Sequence, residues 1–322
     1  MKAVVQPAYG PPDVLELRDV PTPVPGDDEV LIRVRAAGVN PQDWHLITGV
    51  PYIARLGGGL FTPKQQHPGT DVAGDVAAVG ANVTTFQPGD AVFGMRRGAF
   101  AEYLCARADR VVAKPANVTY EQAAAVPVAA LTALQALRDK GGIQAGQRVL
   151  INGASGGVGT FAVQIAKSFD AEVTGVCSTR NVAAARSLGA DHVIDYTRED
   201  FVGVGAPYDL ILDIVGTRSI RDRRRALTPH GTLVIVGGPM GNRFIGPLGG
   251  LVTVTVASRL GSQRLVGMLA KNNVDDLRLL ASLMATGKVT PLIERTYPLS
   301  EASEAVAYVG AKHAQAKIVI VP

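Results

Sequence analysis

The chain has 322 residues, 47% of them hydrophobic and 19% charged, with a formal net charge of +4. That length exceeds one typical domain and points to two, and the composition excludes a disordered chain. Two cysteines, Cys105 and Cys177, exclude a disulfide framework and read as reduced thiols of a cytoplasmic protein.

Met1–Pro7 lacks the apolar core of a signal peptide. No apolar run reaches about 18 residues without charge or glycine, so no membrane span is expected. The first part of the chain reads as β-rich. Glu29–Ala36 alternates like a half-buried strand, Asp71–Val79 and Ala91–Phe93 look similar, and Pro21–Gly26 and Gln87–Asp90 punctuate them as turns. Between them, Gly49–Gly69 has no clear periodicity and by its length is either a functional loop or a poorly marked element.

From about Thr119, strands alternate with helices. Strands are expected at Val149–Asn152, Glu172–Val176, His192–Ile194, Asp209–Ile214 and Thr232–Val236, with helices at Gly159–Ser168, Val182–Leu188 and Ser219–Leu227. This alternation predicts an α/β fold with a doubly wound parallel sheet. Leu265–Leu269 is a candidate sixth strand. Helices over Val274–Thr286 and Ser300–Val309 and a strand over Lys317–Val321 close the chain, and these are expected to return to the first domain. The expected division is 1–122, 123–270 and 271–322. The basic cluster Arg218–Arg225 has no interleaved aromatics, so it reads as a solvated helix face rather than a nucleic-acid surface.

The most informative stretch is Arg148–Lys167, a short apolar run, a glycine-rich turn and an amphipathic segment. Glycine lets the backbone turn sharply and approach phosphates, and the free N–H groups of the following helix point at the anion. Read as G-x-G-x-x-G, the turn is Ala154–Gly159 with alanine in the first glycine place, and Ser155, Gly156, Gly157 and Val158 should hold a dinucleotide pyrophosphate. An NAD-binding version ends the second strand in a carboxylate that bonds the ribose hydroxyls, but no carboxylate lies between Glu172 and Asp191. Ser178, Thr179, Arg180 and Asn181 stand there instead. Arg180 could pair with a 2′-phosphate, a bond worth about 1.5–3 kcal/mol, so NADP(H) is the expected cofactor. Gly237 and Gly238, after the fifth strand, allow close approach of the nicotinamide or form a plain turn.

With these residues in hand, the chain resembles the zinc-independent quinone oxidoreductase branch of the medium-chain dehydrogenase/reductase superfamily, which includes zeta-crystallin. Asn152–Lys167 carries the likeness most specifically, and Val39–Asp43, Pro68–Gly74 and Ala129–Ala133 match as well. The resemblance implies a GroES-like β-rich catalytic domain interrupted by a Rossmann domain, with the cofactor in the cleft between them. It also implies a homodimer joined near Leu265–Leu269. It places Asn40 and Thr132 near the nicotinamide and its ribose, and Tyr196 beside the 2′-phosphate. Zinc alcohol dehydrogenases of the superfamily have a cysteine where this chain has Asn40, and Gly-His-Glu where it has Gly69-Thr70-Asp71. With those ligands gone, His45 and His67 are the remaining candidates and no metal site is expected.

Without a Lewis acid, a conjugated acceptor is the easier hydride recipient, because its charge delocalises as an enolate or a hydroquinone anion. That favours NADPH-dependent reduction of a quinone or an α,β-unsaturated carbonyl. A zinc-free alcohol dehydrogenase, a pathway enoyl reductase and a non-enzymatic crystallin-like or RNA-binding role remain as alternatives. Tyr52 is the candidate donor to the substrate oxygen or, equally, a loop anchor. Asp43 could orient a neighbour, and Trp44 is either an apolar wall for a flat substrate or a core residue.

Overall fold

The computed structural model describes residues 1–202, 205, 207–237, 261–312 and 314–322. They form two compact units, Met1–Leu131 with Asn272–Pro322, and Thr132–Lys271. The first boundary lies at 131/132 rather than 122/123, because the short helix Tyr120–Ala124 still packs on the first unit's strands.

The first unit is built on β1 (Lys2–Val5), β2 (Glu16–Asp19), β3 (Glu29–Val39), β4 (Asp71–Val79), β5 (Ala91–Met95), β6 (Tyr103–Arg107) and β7 (Val111–Ala113). Strand β3 shows why the sequence folds this way. Val30, Ile32 and Val34 turn inward, while Arg33 and Arg35 turn outward, as a half-solvated antiparallel strand requires. From Ala36 to Val39 every residue is buried, where the closing strand of the chain lies antiparallel against β3, pairing Ile320 with Ala37 and Ile318 with Val39. The far edge is completed by the strand Ile293–Pro298, giving a seven-stranded sheet beside the β1–β2 pair. Its core includes Ile32, Ile47, Phe100, Val306 and Ile320. Each such fully buried side chain contributes about 1.5–3 kcal/mol.

The second unit is a six-stranded parallel sheet. Its strands are β8 (Arg148–Asn152), β9 (Glu172–Cys177), β10 (His192–Asp195), β11 (Tyr208–Asp213), β12 (Leu227–Ile235) and β13 (Arg264–Gly267), in the order β10-β9-β8-β11-β12-β13. The two central strands, β8 and β11, read as continuous apolar runs because a parallel sheet is covered on both faces. The helix Gly157–Ser168 is buried from Gly159 to Ala166 and packs on β8 and β9. No helix of the described residues is long and apolar enough to cross a membrane.

One expectation is corrected. The basic segment is not a uniformly solvated helix face: within the helix Ile220–Arg225, Arg223 is buried and pairs with Asp213 at 2.6 Å. Of the two readings of Trp44, the structure takes the core one: it packs against the first unit's hydrophobic core, with its ring edge-on to His45.

Candidate active site

In the second unit, β8 delivers the chain at Asn152 into the turn Gly153–Gly156. The N–H groups of Gly153 and Ala154 both donate to the Val176 carbonyl, at 3.1 and 3.0 Å, which pins the turn to the end of β9. Gly156 is the N-cap of the helix Gly157–Ser168 and has no side chain to cap it, so the first-turn N–H groups stay available to an anion. A Cβ on Gly159 would sit 2.0 Å from the Gly153 carbonyl oxygen, so only glycine lets helix and turn approach this closely. Ser155, Gly156, Gly157 and Val158, named from the sequence, therefore lie together at one helix N-terminus, half-exposed.

Asn181 ties this turn to the end of β9. Its amide donates to the hydroxyls of Ser155 (3.0 Å) and Ser178 (3.2 Å), bringing two of the named residues to one side chain. Arg180 is exposed in the adjoining turn Thr179–Asn181, and Tyr196 is 59% exposed just beyond β10. Thr179 instead points to Asp195, donating to its carboxylate at 2.5 Å. Gly237 follows β12, where a Cβ would meet the Ile214 carbonyl oxygen at 2.4 Å. Gly238 lies outside the described residues. Thr132 is buried on the helix Pro127–Gln135.

Below the turn lies a network that sequence reasoning missed. Asp213, at the end of β11, accepts from Asn152 (2.8 Å), from the Gly216 N–H (2.9 Å) and from Arg223. Asn152 and Asp213 are cross-strand partners, which is the signal that could have found them. The turn, the free helix N-terminus and the Ser155–Asn181–Ser178 bridge fit a nicotinamide dinucleotide.

In the first unit, the helix α1 (Pro41–Thr48) opens on Asn40. Asp43, in its first turn, accepts the Asn40 backbone N–H at 2.8 Å and the Thr70 hydroxyl at 3.2 Å. The Asn40 side chain also makes bonds outside the helix. Its amide donates to Asp71 at 2.9 Å, and its oxygen accepts from the Lys317 ammonium at 2.5 Å. Lys317 also donates to the Val39 carbonyl and lies 3.7 Å from Asp71, whose other oxygen accepts the Val128 N–H. Asn40, Asp43, Asp71 and Lys317 are each at most 3% exposed. Two carboxyl groups thus share one buried ammonium. Burial pushes the Asp43 carboxyl up to about 7, helped by Asp71 and opposed by the Asn40 N–H and Lys317. Burial likewise pushes Asp71 up to about 6 against the pull of Lys317, and it pulls the Lys317 ammonium down.

The structure therefore brings Asn40 and Asp43 together. Tyr52 is placed elsewhere, in the turn Tyr52–Ala54, with its ring 4.8 Å from the Arg55 guanidinium, which also stacks 4.4 Å over Tyr9. Arg55 in turn donates to the carbonyls of Thr48 and Gly49 at the end of α1, so Tyr52 takes part in anchoring the 49–69 segment. Thr70, Asp71 and Lys317 were missed as a functional cluster. A lysine opening an otherwise apolar closing strand is the signal, since a buried lysine needs a partner.

A cavity of about 30 Å³ adjoins Asp43 and Thr70, and Gln6, Tyr9, His67 and Arg97 also line it. It has room for water or one substrate oxygen, not for a ring. These residues do not fit a catalytic zinc. The oxygens of Asn40 and Asp71 are held by the Lys317 ammonium, the Thr70 hydroxyl is bonded to Asp43, and a divalent cation here would face a fixed positive charge. His45 is committed through Nδ1 to the Val50 carbonyl at 2.9 Å.

Comparison with known proteins agrees with this architecture. Residues 26–116 match the alcohol dehydrogenase GroES-like domain family, and residues 188–320 match the zinc-binding dehydrogenase family. The chloroplast envelope quinone oxidoreductase homolog of Arabidopsis thaliana is 33% identical, with 96% of this chain and 94% of that protein covered. A solved quinone oxidoreductase from Coxiella burnetii superposes with a TM-score of 0.87 at 33% identity, covering 100% of this chain and 99% of that one. The Escherichia coli quinone oxidoreductase, solved in complex with NADPH, gives 0.84 at 25% identity, with 100% of both chains covered. Fold and site define a two-domain oxidoreductase that takes a nucleotide cofactor. The chain belongs to the quinone oxidoreductase branch of the medium-chain dehydrogenase/reductase superfamily.

Proposed function

We propose that the chain is an NADPH-dependent, zinc-free reductase that passes hydride to a quinone or an α,β-unsaturated carbonyl. The observation that carries this reading is the Lys317 ammonium bonded to Asn40 and lying beside Asp71, a fixed cation among the groups that would have to ligate a metal. Without a metal Lewis acid, an acceptor that spreads its own developing charge is the one this site can serve. The bound dinucleotide supplies the hydride. The turn Ser155–Val158 seats its pyrophosphate, and Asn181 holds Ser155 and Ser178 in register beside it. Exposed Arg180, with no carboxylate at the end of β9, favours the 2′-phosphate of NADPH. Gly237 admits the nicotinamide, and Thr132 of the same unit is its candidate ribose contact.

The same reading includes a cytoplasmic homodimer. β13 forms the edge of the parallel sheet among the described residues and is the surface for a second copy.

The test is oxidation of NADPH and of NADH by metal-free protein with EDTA present. The acceptors are a 1,4-quinone, a 2-alkenal and a saturated aldehyde. Turnover of the conjugated acceptors alone, with NADPH preferred, is the expected result. Turnover of the saturated aldehyde that EDTA abolishes would overturn it.

A further inference from the structure

We propose that Thr70 is the proton-transferring residue of this reductase, passing a proton from the Asp43 carboxyl to the oxygen of the reduced acceptor. The inference rests on the function proposed above and deepens it. Hydride addition leaves an anionic oxygen on the acceptor, and that oxygen needs a proton before the product leaves neutral. The geometry supplies a short chain of donors. Asp43 and Thr70 both line the oxygen-sized cavity, and their side chains are bonded to each other at 3.2 Å. Asp43 is held rigidly by the Asn40 N–H at the start of α1, so its second oxygen stays turned to Thr70. Tyr52, the other donor suggested by the sequence, is stacked on Arg55 and is not among the residues lining this cavity.

The step balances without a further reactant. In the resting site the Thr70 hydroxyl donates to Asp43 Oδ1, so it first turns to the acceptor. The substrate oxygen then takes the Thr70 proton as the Asp43 Oδ1–H bond breaks and its proton moves to the Thr70 oxygen. Asp43 is left ionised and regains a proton from water through the cavity. The carboxyl is suited to this role because burial, together with Asp71 on β4, raises its affinity for a proton to about 7. The Asn40 N–H, Lys317 on the closing strand and the bond from Thr70 oppose that rise, and His67 and Arg97 face the same cavity. Asp43 is the proton source acting through Thr70, and Thr70 touches the substrate.

The experiment compares wild type with Thr70→Val, which keeps the side-chain shape, and Thr70→Ser, which restores the hydroxyl. Their pH–rate profiles with NADPH and a conjugated acceptor are set beside carboxyl-resolved carbon NMR of Asp43. We expect wild-type kcat to fall as pH rises through about 7. Thr70→Val should lose at least about tenfold in kcat with KM little changed and lose that inflection, as removal of a general acid does. Thr70→Ser should recover most of both. A Thr70→Val rate within about twofold of wild type, or an Asp43 carboxyl already ionised at pH 5, overturns the relay while leaving the reductase reading intact. Wild-type protein that reduces no conjugated acceptor overturns both.

Discussion

The two units each bury an aspartate, an asparagine and a basic side chain, and they use them differently. In the second unit, Asp213 has Arg223 at 2.6 Å, Asn152 at 2.8 Å and a backbone N–H at 2.9 Å. One carboxylate meets one guanidinium and ample further donors, which makes it a brace that fixes the ends of β8 and β11 beneath the nucleotide turn. In the first unit, Asp43 and Asp71 must share Lys317, which lies 3.7 Å from Asp71 and spends its bonds on Asn40 and the Val39 carbonyl. That carboxyl pair is short of positive charge, and burial pushes Asp43 up to about 7 and Asp71 up to about 6. The contrast teaches that one buried carboxylate with a full set of donors serves as a brace, whereas burial raises the proton affinity of two carboxyls that share a single ammonium.

The sharpest break of this comparison removes each cation in turn. Arg223→Met should leave Asp213 buried and uncompensated, costing about 3–5 kcal/mol of stability. Urea unfolding should show the loss, and nucleotide binding should weaken with it. Lys317→Met should cost a comparable amount above about pH 7 but visibly less near pH 5, because Asp71 can take a proton in place of the lost ammonium. Unfolding midpoints of the two variants at both pH values decide the matter. An Lys317→Met loss that is the same at both would mean that Asp71 does not buffer its own site.

Arg180→Ala probes the second unit where it is exposed rather than braced. The expected result is NADPH binding weakened by about 1.5–3 kcal/mol, roughly ten- to hundredfold, with NADH binding little changed. Titration of both cofactors by protein fluorescence or calorimetry measures it. Equal losses for the two would place Arg180 away from the 2′-phosphate.

Most of the second unit was legible in the sequence, because a parallel sheet writes itself as apolar runs between helices. The expected Glu172–Val176 and His192–Ile194 strands each fall one residue short of β9 and β10. The turn Ser155–Val158 was equally plain, since only glycine tolerates the approach of Gly159 to Gly153. The first unit was harder. Strand β2 is exposed at all four residues and the strand Ile293–Pro298 is mostly polar, so neither shows the alternation that marks a half-buried strand. The candidate site there was only half visible. Asn40 and Asp43 sit three residues apart on one helix start, but Asp71 and Lys317 reach them only through the pairing of β3 with β4 and with the closing strand. Long-range pairing of that kind leaves no local spacing to read. Arg223 hid for a related reason: four arginines in one short helix look alike until the fold turns one of them inward.

Asp43→Asn gives the finest test of the contrast, through the pH dependence of stability. The folded Asp43 carboxyl holds its proton up to about 7, whereas an unfolded aspartate releases it near its ordinary value of about 3.9. Between those limits the native state binds more protons than the unfolded one, so the contribution of Asp43 to stability is present at low pH and is lost as pH rises through about 7. Asparagine mimics the neutral carboxyl, and its oxygen can still accept the Asn40 N–H. The variant should therefore gain on wild type as pH rises from about 4 to about 7, by at least about 1 kcal/mol, the equivalent of roughly one pKa unit. Asp71 remains in both proteins and imposes its own fall up to about 6, so the difference between the two urea midpoints isolates Asp43. A difference that stays flat across this range would mean that Asp43 is ionised throughout, and the first unit's carboxyl pair would then be a brace like that of the second.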